Sequence, residues 1–315
     1  MIEILKPGPF TTVQDLGRHG YASLGVSTSG AADRGSLRLA NRLVGNAENA
    51  AGLELTYGGL SVRFHTLTTI ALTGAPCPAT LDGRTIAANG PVIVHPGQQL
   101  TIGLPAHGLR TYLAVRGGID VPEVLGSRST DTLSGIGPAV LAGGTRLPVG
   151  SPPSSFPTVD FAPAAPFPEH PTLEVLPGPR DDWFTLEAMK TLYSTAYQVS
   201  ADSNRIGARL QGPVLKRAVD RELPSEGTAL GSLQVPPNGQ PVLFLADHPV
   251  TGGYPVIAVI ADHDLDRAAQ LCPGQSVSFR PLSPHRASRG RRRALLVRPL
   301  AAARGREPHT ESLPQ

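Results

Sequence analysis

The chain carries the same short motifs, in the same order, in its two halves. Four segments of the first half each have a counterpart in the second: MIEILKPGP at 1–9 and TLEVLPGP at 172–179, GVSTSGAADRGSLRL at 25–39 and QVSADSNRIGARL at 198–210, LELTYGG at 53–59 and SLQVPPNG at 232–239, HPGQQLTI at 95–102 and CPGQSVSF at 272–279. One Pro-Gly turn between strands is common, so each pair alone is weak. Four pairs in order at a similar offset predict an internal duplication.

A proline-rich stretch separates the halves. The segment SPPSSFPTVDFAPAAPFPEHP at 151–171 has seven prolines in 21 positions. Because proline lacks a backbone N–H and has a fixed φ, this stretch is a linker or an extended wrapping segment. We therefore predict one domain at 1–150, the linker at 151–171 and a second domain at 172–285.

Short β-favouring runs with turn residues nearby recur along the chain. Examples are Ile2–Leu5, Leu60–Phe64 and Tyr112–Val115, and the sequence holds 35 glycines and 32 prolines in 315 residues. This composition favours many short strands over long helices. The fold class predicted is mainly β, with two β-barrel domains from the duplication and short helices. Such domains packed side by side would leave a cleft, a usual place for a ligand site.

Two segments predict helices. In DRGSLRLANRLVGN, Asp33 is a plausible N-cap, Leu37, Ala40, Leu43 and Val44 form one apolar face, and Gly45 ends the helix. The second segment, LEAMKTLY at 186–193, looks like the peptide in which biotin carrier domains present their biotinylated lysine.

A biotin lysine lies at a hairpin tip between strands, but nine prolines at 152–179 leave little room for such strands. With Asp181 or Asp182 as N-cap, apolar residues recur at helical spacing: Trp183, Leu186, Met189 and Tyr193. We therefore expect a helix, and no covalent biotin on Lys190.

Basic charge is concentrated at the C-terminus. Residues 286–315 contain eight arginines and two glutamates, a net charge of +6, whereas the preceding 285 residues carry 20 basic and 23 acidic side chains, a net charge of −3. We expect the tail at 286–315 to be disordered, and the mildly acidic body gives no reason to expect nucleic acid as a partner.

Features of a membrane or exported protein are missing from the sequence. The longest apolar run, at 256–261, is far shorter than the roughly 20 residues of a membrane span. The N-terminal segment MIEILKPGPF lacks signal-peptide character, and Cys77 and Cys272 stand alone, as suits a reducing compartment. The expectation is a cytoplasmic protein with no membrane contact.

Familiar catalytic motifs are missing too, and polar clusters in loops stand in their place. The sequence has no GxSxG, no HExxH and no Gly-Lys of a P-loop, and its histidines are too isolated to predict a metal site. The polar clusters lie at 14–18, 128–131, 202–205, 224–227 and 246–254. Arginine beside carboxylates suits planar anions, and Asp247 beside His248 is a candidate proton-transfer pair. The alternative is that Asx turns and Arg–Asp pairs only fasten these loops.

Four motifs give a specific resemblance to a known family: QDLGRHGYASLGVSTSGAAD at 14–33, GSRSTDTLSGIGP at 126–138, SADSNRIGARLQG at 200–212 and LPSEGTALGSLQVPPNGQPVLFLADHPVTGGYP at 223–255. Over about residues 1–283, the chain resembles the family of biotin-dependent carboxyltransferases and 5-oxoprolinase C-type subunits. This family includes the regulator KipA and the second allophanate-hydrolase-type subunit.

The resemblance implies a cyclophilin-like β-barrel fold in both domains. It also implies an obligate partner, the B-type subunit of the same enzymes, which is KipI or the first allophanate-hydrolase-type subunit. An A-type subunit is a further partner in the 5-oxoprolinase members of the family.

The resemblance leaves three functions open. The leading one is the C-type subunit of an ATP-dependent 5-oxoprolinase, which converts 5-oxoproline to glutamate, with ATP used at the level of the complex and its site in this chain or another. The second is transfer of CO2 from carboxybiotin on another protein to urea or a similar amide. The third is non-enzymatic regulation of a sensor histidine kinase, as in KipA. All three imply a small-molecule or protein partner rather than a membrane.

The clusters and the family motifs together nominate the site residues. Arginines would stabilise developing oxyanion charge and aspartates would transfer protons, as both enzyme readings require. The catalytic candidates are Asp15, Arg18, Arg128, Ser129, Asp131, Asp247 and His248. The substrate-binding candidates are Gln14, Asn204, Arg205, Glu226, Gln234, Thr251 and Tyr254. Pro249-Val250-Thr251 stands where the family pattern has a Gln-Thr-Thr run, which leaves the substrate open.

Overall fold

Short strands joined by glycine turns make up most of the regular structure, which confirms the mainly β class. The computed structural model describes residues 1–157, 159–163 and 166–282. The predicted basic tail at 286–315 lies outside the described residues.

The first half contains two sheets around a shared apolar core. Its strands are β1 (Ile2–Lys6), β2 (Phe10–Gln14), β3 (Gly52–Thr56), β4 (Ser61–Phe64), β5 (Thr68–Gly74), β6 (Ala79–Leu81), β7 (Arg84–Thr85), β8 (Pro91–Val94), β9 (Gln99–Ile102), β10 (Arg110–Val115) and β11 (Arg146–Leu147). One sheet has the order β11-β1-β4-β9-β6-β7 and the other the order β2-β3-β10-β5-β8. Ile4, Val62, Phe64 and Leu113, from both sheets, are fully buried in one core.

The second half contains a closed barrel. Its strands are β12 (Thr172–Pro177), β13 (Tyr197–Val199), β14 (Gly207–Gln211), β15 (Glu226–Gly227), β16 (Ser232–Gln234), β17 (Val242–Phe244), β18 (Thr251–Gly252), β19 (Val256–Ile260) and β20 (Ser276–Pro281). Seven of them close in the order β12-β19-β16-β17-β14-β13-β20. The parallel pairing of β12 with β20 completes the ring. Strands β15 and β18 form a separate antiparallel pair outside the barrel.

The helix predicted after Asp33 is confirmed. Helix α1 (Arg34–Leu43) begins where Asp33 Oδ1 accepts a hydrogen bond from Ser36 N, 2.9 Å long. Its buried apolar residues include Leu37 and Ala40, and it packs on β5 and β10. The helix ends before Gly45, whose φ of 73° suits glycine.

The helix predicted around Lys190 is confirmed, but its start and its buried face differ. Helix α2 (Leu186–Ser194) is capped by Thr185, whose hydroxyl accepts from Ala188 N. The predicted caps, Asp181 and Asp182, lie instead in a separate 3-10 turn (Asp181–Trp183). Because the helix begins later than expected, its buried residues are Ala188 and Leu192, while Leu186 points to solvent. The third helix, α3 (Leu265–Ala268), is a single turn.

The duplicated motifs can be compared directly at the two Pro-Gly turns. The side chain of Gln98 accepts a hydrogen bond from His95 N (2.8 Å), and that of Gln275 accepts from Cys272 N (3.0 Å). Each turn then leads into a strand, β9 or β20. The same local hydrogen bond at corresponding positions supports the relation between the halves.

One of the motif pairs does not correspond in structure. Residues 25–39 form a loop and the start of α1, whereas 198–210 form β13, a turn and most of β14. The reason lies in the periodicity. Apolar residues after Asp33 recur at helical spacing, but in β14 the buried Ala208 and Leu210 alternate with the exposed Arg209.

Both ends of the proline-rich segment are fastened to the folded halves. The guanidinium of Arg116 donates to the Ser155 carbonyl (2.8 Å) and lies 3.8 Å from the centre of the Phe156 ring. Near the other end, Gln275 Nε2 donates to the carbonyls of Pro168 and Glu169, both at 3.0 Å. The described parts of this segment therefore contact both halves, and its role as linker or wrapping segment stays a prediction.

Candidate functional site

Arg205 is the centre of a group of buried charges that joins the two halves. It lies in the turn between β13 and β14 and is 3% exposed. Its Nε and Nη2 donate to the two carboxylate oxygens of Asp247, each at 2.9 Å, and Nη2 also donates to the Gly30 carbonyl (2.6 Å). Its Nη1 donates to Glu54 on β3. One guanidinium of the barrel thus binds two elements of the first half.

Asp247 accepts hydrogen bonds from the first half as well. Ser29 Oγ donates to it at 2.6 Å, and the backbone N and the hydroxyl of Thr132 donate at 3.0 and 2.7 Å. Burial alone would raise the pKa of Asp247, but the Arg205 guanidinium and these donors outweigh burial and lower that pKa. The side chain is therefore a carboxylate at neutral pH.

Glu54 is the second buried carboxylate at this junction, and the sequence analysis did not nominate it. It accepts from Ala32 N (2.9 Å) and from the Tyr112 hydroxyl (2.7 Å), and Arg110 Nε lies 3.6 Å from it. The sequence pattern that could have identified Glu54 is a charged residue between two leucines of a strand, Leu53-Glu54-Leu55. All three residues are buried in the structure. A charge on such a strand needs a partner from another element.

The two loops around Asp15 and Ser129 continue the same arrangement. Asp15 accepts from Gly17 N (2.7 Å), Ser127 Oγ (2.7 Å) and Ser129 Oγ, and also from Arg128 N (2.6 Å).

Arg18, 1% exposed, donates to the Ser129 carbonyl, and its Nη1 lies 3.9 Å from Asp131. Gln14 Nε2 donates to the Thr130 carbonyl (2.9 Å), which also accepts from Ser29. We name this set the buried polar network: Gln14, Asp15, Arg18, Ser29, Glu54, Ser129, Asp131, Arg205 and Asp247.

A further set of contacts crosses the junction at the start of α1. Gln270 Oε1 accepts from Leu109 N and Arg110 N (2.9 and 2.8 Å), and its Nε2 donates to Asp33 (2.6 Å). Asp266, from the second half, accepts from the first two amides of α1, at 2.9 and 3.1 Å. Burial and the nearby Asp266 charge raise the pKa of Asp33 to about 6.

The position of the network differs from the cleft that the sequence suggested. Its nine side chains are each at most 7% exposed, so they do not form the wall of an open cleft. Their polar atoms are largely paired, mostly within the first half, and the bonds of Arg205 and Asp247 to Glu54, Gly30 and Ser29 cross the junction. This is the fastening role that the sequence analysis left open. Any catalytic role for them remains a prediction.

Two of the nominated residues belong to local turns. Arg128 has a partly exposed side chain that donates to the Val121 carbonyl (2.8 Å) and to Asp120 (3.0 Å), and also pairs with Glu123. Asn204 Oδ1 accepts from Ile206 N at 2.8 Å, an Asx turn that leads into β14. The hydrogen bonds of both side chains hold their own loops in shape.

His248 does not form the expected pair with Asp247. Its Nδ1 lies 2.8 Å from the Pro249 carbonyl, and its ring stacks on Phe244 with the centroids 5.8 Å apart. Burial lowers the pKa of His248, which favours the neutral imidazole at pH 7. The contacts with the Pro249 carbonyl and the Phe244 ring hold the imidazole in one orientation.

The remaining nominated residues lie together at one end of the barrel. Glu226 and Thr251 belong to the paired strands β15 and β18. Gln234 Nε2 donates to the Tyr254 carbonyl at 3.1 Å. The Arg217 guanidinium lies 6.0 Å from the centre of the Tyr254 ring. Substrate binding by Glu226, Gln234, Thr251 and Tyr254 stays a prediction, but the structure brings them close together, with Gln234 buried beneath the others.

An open pocket of about 330 Å³ lies beside these residues. We call it the barrel-end pocket, and the residues that define it are Arg180, Trp183, Arg221, Glu222, Leu223, Pro224 and Glu226. Arg180 binds Glu226 through two hydrogen bonds, one from Nε of 3.0 Å. The Arg221 guanidinium lies 5.2 Å from the centre of the Trp183 ring.

Three of these pocket residues, Arg180, Trp183 and Arg221, were missed by sequence reasoning. Trp183 is the single tryptophan of the chain and follows Arg180 closely, which was an available signal. Arg221 carried none, because nothing in its local sequence indicates that it meets a tryptophan 38 positions earlier.

The described residues contain neither a candidate metal site nor a helix that could span a membrane. Among residues 1–157, 159–163 and 166–282, no three His, Cys, Asp or Glu side chains are grouped so that they could hold a metal ion. In this described part, no helix has the length and apolar character needed to span a membrane.

The comparison with known families decides the relationship that the motifs suggested. Residues 24–281 match the family described as "Carboxyltransferase domain, subdomain A and B". The chain belongs to this family. The resemblance inferred from the four motifs is therefore confirmed.

Two relatives of this carboxyltransferase-family chain are similar to it over nearly their whole length. A protein of Escherichia coli (strain K12), named as the C subunit of 5-oxoprolinase, is 44% identical over 282 residues, which are 89% of this chain and 90% of the relative. The protein of the same name from Haemophilus influenzae is 34% identical and covers 93% of this chain and 95% of the relative. Their name indicates a multi-subunit enzyme in those organisms.

A solved structure shows the same fold inside a much larger protein. The crystal structure of the Kluyveromyces lactis urea amidolyase matches with a TM-score of 0.83 and 36% identity. The match covers 90% of this chain but 19% of the urea amidolyase chain. The present chain thus corresponds to one part of that enzyme.

Proposed function

We propose that this chain is the C-type subunit of an ATP-dependent 5-oxoprolinase, which hydrolyses the lactam of 5-oxoproline to give glutamate. The observation that carries the proposal is the match to the 5-oxoprolinase protein of E. coli along nearly the whole of both chains. The match to urea amidolyase has a lower identity and spans about a fifth of that enzyme.

The proposed reaction is difficult because a lactam is a stable amide. Attack on its carbonyl develops negative charge on oxygen, which hydrogen-bond donors must stabilise, and ATP supplies the driving force at the level of the complex. Arg180 and Arg221, which line the barrel-end pocket, are the donors that we propose for this role. The buried polar network supports them by fixing the barrel against the first half.

The proposal includes partner proteins in the cytoplasm. The B-type subunit (KipI, or the first allophanate-hydrolase-type protein) and the A-type subunit would complete the enzyme, with the ATP site on this chain or on one of them. We expect activity only from the assembled complex, since the relatives are named as parts of a multi-subunit enzyme.

The test is reconstitution with the purified A-type and B-type partners from the same organism. We expect glutamate release from 5-oxoproline that requires ATP and all three chains. Coupled enzymatic assays for glutamate and phosphate measure this release. Omission of each chain in turn is the control. A complete complex that releases no glutamate from 5-oxoproline would refute the proposal.

A second candidate function is carboxyl transfer from carboxybiotin to urea or a similar amide. It is favoured by the description of the family and by the structural match to urea amidolyase. Biotin would come from another protein, because Lys190 lies on helix α2 and its Nζ is 3.8 Å from Glu187. Urea-dependent turnover that needs a biotinylated carrier protein would select this function. Inactivity in both assays, with inhibition of a histidine kinase, would indicate a KipA-type regulator.

A further inference from the structure

We propose that the barrel-end pocket binds the substrate as a lactam carboxylate. Arg221 would bind the carboxylate, and the Arg180–Glu226 pair would bind the lactam edge. This inference rests on the proposed 5-oxoprolinase function and adds the place and the chemistry of substrate binding. None of Arg180, Trp183 and Arg221 was among the residues nominated from the sequence.

Arg221 has the properties of a carboxylate-binding group. Its guanidinium lies over the Trp183 ring, 5.2 Å from the ring centre, so the aromatic face holds its plane in one orientation. Within the described part of the chain, no carboxylate forms an ion pair with it. A guanidinium that is oriented in this way and lines a pocket can donate two parallel hydrogen bonds to an incoming carboxylate.

The Arg180–Glu226 pair has the complementary pattern for an amide edge. In a five-membered lactam, the ring forces the N–H and the C=O onto the same side, so a donor and an acceptor lie next to each other. Arg180 uses two of its five N–H groups on Glu226 and keeps others for the ring carbonyl. The Glu226 carboxylate has further lone pairs that accept from the ring N–H.

The rest of the pocket suits the apolar part of such a molecule. Leu223 and Pro224 form an apolar wall that the ring methylenes could contact. The volume, about 330 Å³, lies at the low end of the roughly 300–1,000 Å³ typical of small-molecule sites. The lining has two arginines and two glutamates, of which Arg180 and Glu226 are paired with each other, so the carboxylate contact depends on the orientation of Arg221 and not on net charge.

Two other molecules share the amide edge but not the carboxylate beside it. Urea and the ureido ring of biotin both present N–H and C=O groups side by side, so the Arg180–Glu226 pair alone would not distinguish them from a lactam. Arg221 makes the distinction, because neither molecule has a carboxylate next to that edge. The contrast defines the experiment.

The experiment measures binding of four probes to the complex of the full chain with its A-type and B-type partners. The probes are 5-oxoproline, 2-pyrrolidinone (the same ring without the carboxylate), urea and biocytin, studied by calorimetry. We expect the wild-type complex to bind 5-oxoproline at least about tenfold more tightly than 2-pyrrolidinone, as one charged hydrogen-bonded pair provides. This comparison requires no variant and so is independent of any folding defect.

Arg221→Gln and a matched control then test the assignment to a residue. Arg221→Gln should weaken 5-oxoproline binding on the order of tenfold, raise its KM similarly and leave 2-pyrrolidinone binding unchanged. Glu226→Gln should weaken both ring compounds. The control is Arg63→Gln, an exposed arginine on β4 of the first half, which should change neither.

Several results would overturn the inference. They are equal binding of 5-oxoproline and 2-pyrrolidinone by the wild-type complex, a KM for 5-oxoproline that Arg221→Gln leaves unchanged, or tighter binding of urea or biocytin than of 5-oxoproline. Failure of the pocket assignment can be distinguished from failure of the proposed function. A wild-type complex that hydrolyses 5-oxoproline while Arg221→Gln has no effect refutes only the pocket, whereas absence of hydrolysis refutes the proposed function itself.

Discussion

Replacement of Arg205 by alanine tests whether the buried polar network fixes the two halves to each other. The side chain makes two hydrogen bonds to Asp247, one to Glu54 and one to the Gly30 carbonyl. In the Arg205→Ala variant, two carboxylates would remain buried without their shared cation. Asp247 would keep its contacts with Ser29 and Thr132, so the loss is large but not complete.

The expected magnitude follows from the cost of an uncompensated buried charge. Removal of one partner from a buried ion pair costs about 3–5 kcal/mol of unfolding free energy. Here one arginine serves two carboxylates, and the remaining donors offset part of that cost. We expect Arg205→Ala to lower the unfolding free energy by about 4 kcal/mol at pH 7. Arg209→Ala, in which an exposed arginine of β14 is removed, should change it by less than about 0.5 kcal/mol.

The assay combines two probes in urea titrations. Trp183 is the single tryptophan and belongs to the core of the barrel, so its fluorescence reports the second half, while far-UV circular dichroism reports the whole chain. In the wild type we expect the two transitions to coincide. In Arg205→Ala they should separate, because the junction that couples the halves is weakened.

A double-mutant cycle with Glu54→Ala isolates the charge pair of Arg205 that crosses the junction. Each single variant leaves a buried charge without its partner, but the double variant removes both charges of that pair, so its cost should be lower than the sum of the two by at least about 2 kcal/mol. Additive costs, or a loss below about 1 kcal/mol in Arg205→Ala with coincident transitions, would refute the coupling argument.

Three further predictions concern other parts of the chain. Burial and Asp266 raise the pKa of Asp33 to about 6, so the folded state holds this proton more tightly than the unfolded state. The unfolding free energy should therefore fall by about 3 kcal/mol as the pH rises from about 4 to about 6. The difference in unfolding free energy between wild type and Asp33→Asn across this range, from urea titrations, measures that decline; a constant difference would contradict it. In Gly137→Ala, the new Cβ would clash with the Ser129 carbonyl oxygen, and the residue has a φ of 85°, so the unfolding free energy should fall by more than about 2 kcal/mol. In the matched variant Gly135→Ala, nothing lies within 4 Å of the new Cβ, so the unfolding free energy should fall by about 1 kcal/mol. Urea titrations of both check the ordering. Finally, intact mass after coexpression with a biotin ligase should show no biotin on Lys190, because this residue lies on a helix and not at a hairpin tip.

Local features of the fold could be predicted because short segments determine them. The capping carboxylate of Asp33, the following helical spacing and Gly45 define α1 within the sequence itself. The Pro-Gly turns before β9 and β20 are likewise local, and so are many of the strands. The predicted start of α2 was wrong because Thr185, Asp181 and Asp182 are all acceptable caps, and the local sequence does not decide between them.

The site could be predicted only as a set of loops and not as an arrangement. Sequence reasoning nominated Asp247 and Arg205 but paired Asp247 with its neighbour His248, since proximity along the chain was the only available guide. The actual partners of these two residues include Glu54 and Ser29, more than 150 positions from Arg205 in each case. Contacts of this kind depend on how the halves pack, which no local pattern encodes.

The chemistry of the junction also explains why its charges need not be catalytic. An apolar junction of the same buried area would hold two domains together equally well. It would nevertheless let them slide past each other, because apolar contacts are not directional. Arg205 has donors in a fixed plane, and its bonds to Glu54 and the Gly30 carbonyl form at one relative position of the halves. The loops that carry Asp15 and Asp131 are fastened in the same way. We infer that the network sets the geometry of the barrel relative to the first half. On that basis, the exposed residues at the barrel end are the better place to search for substrate contacts.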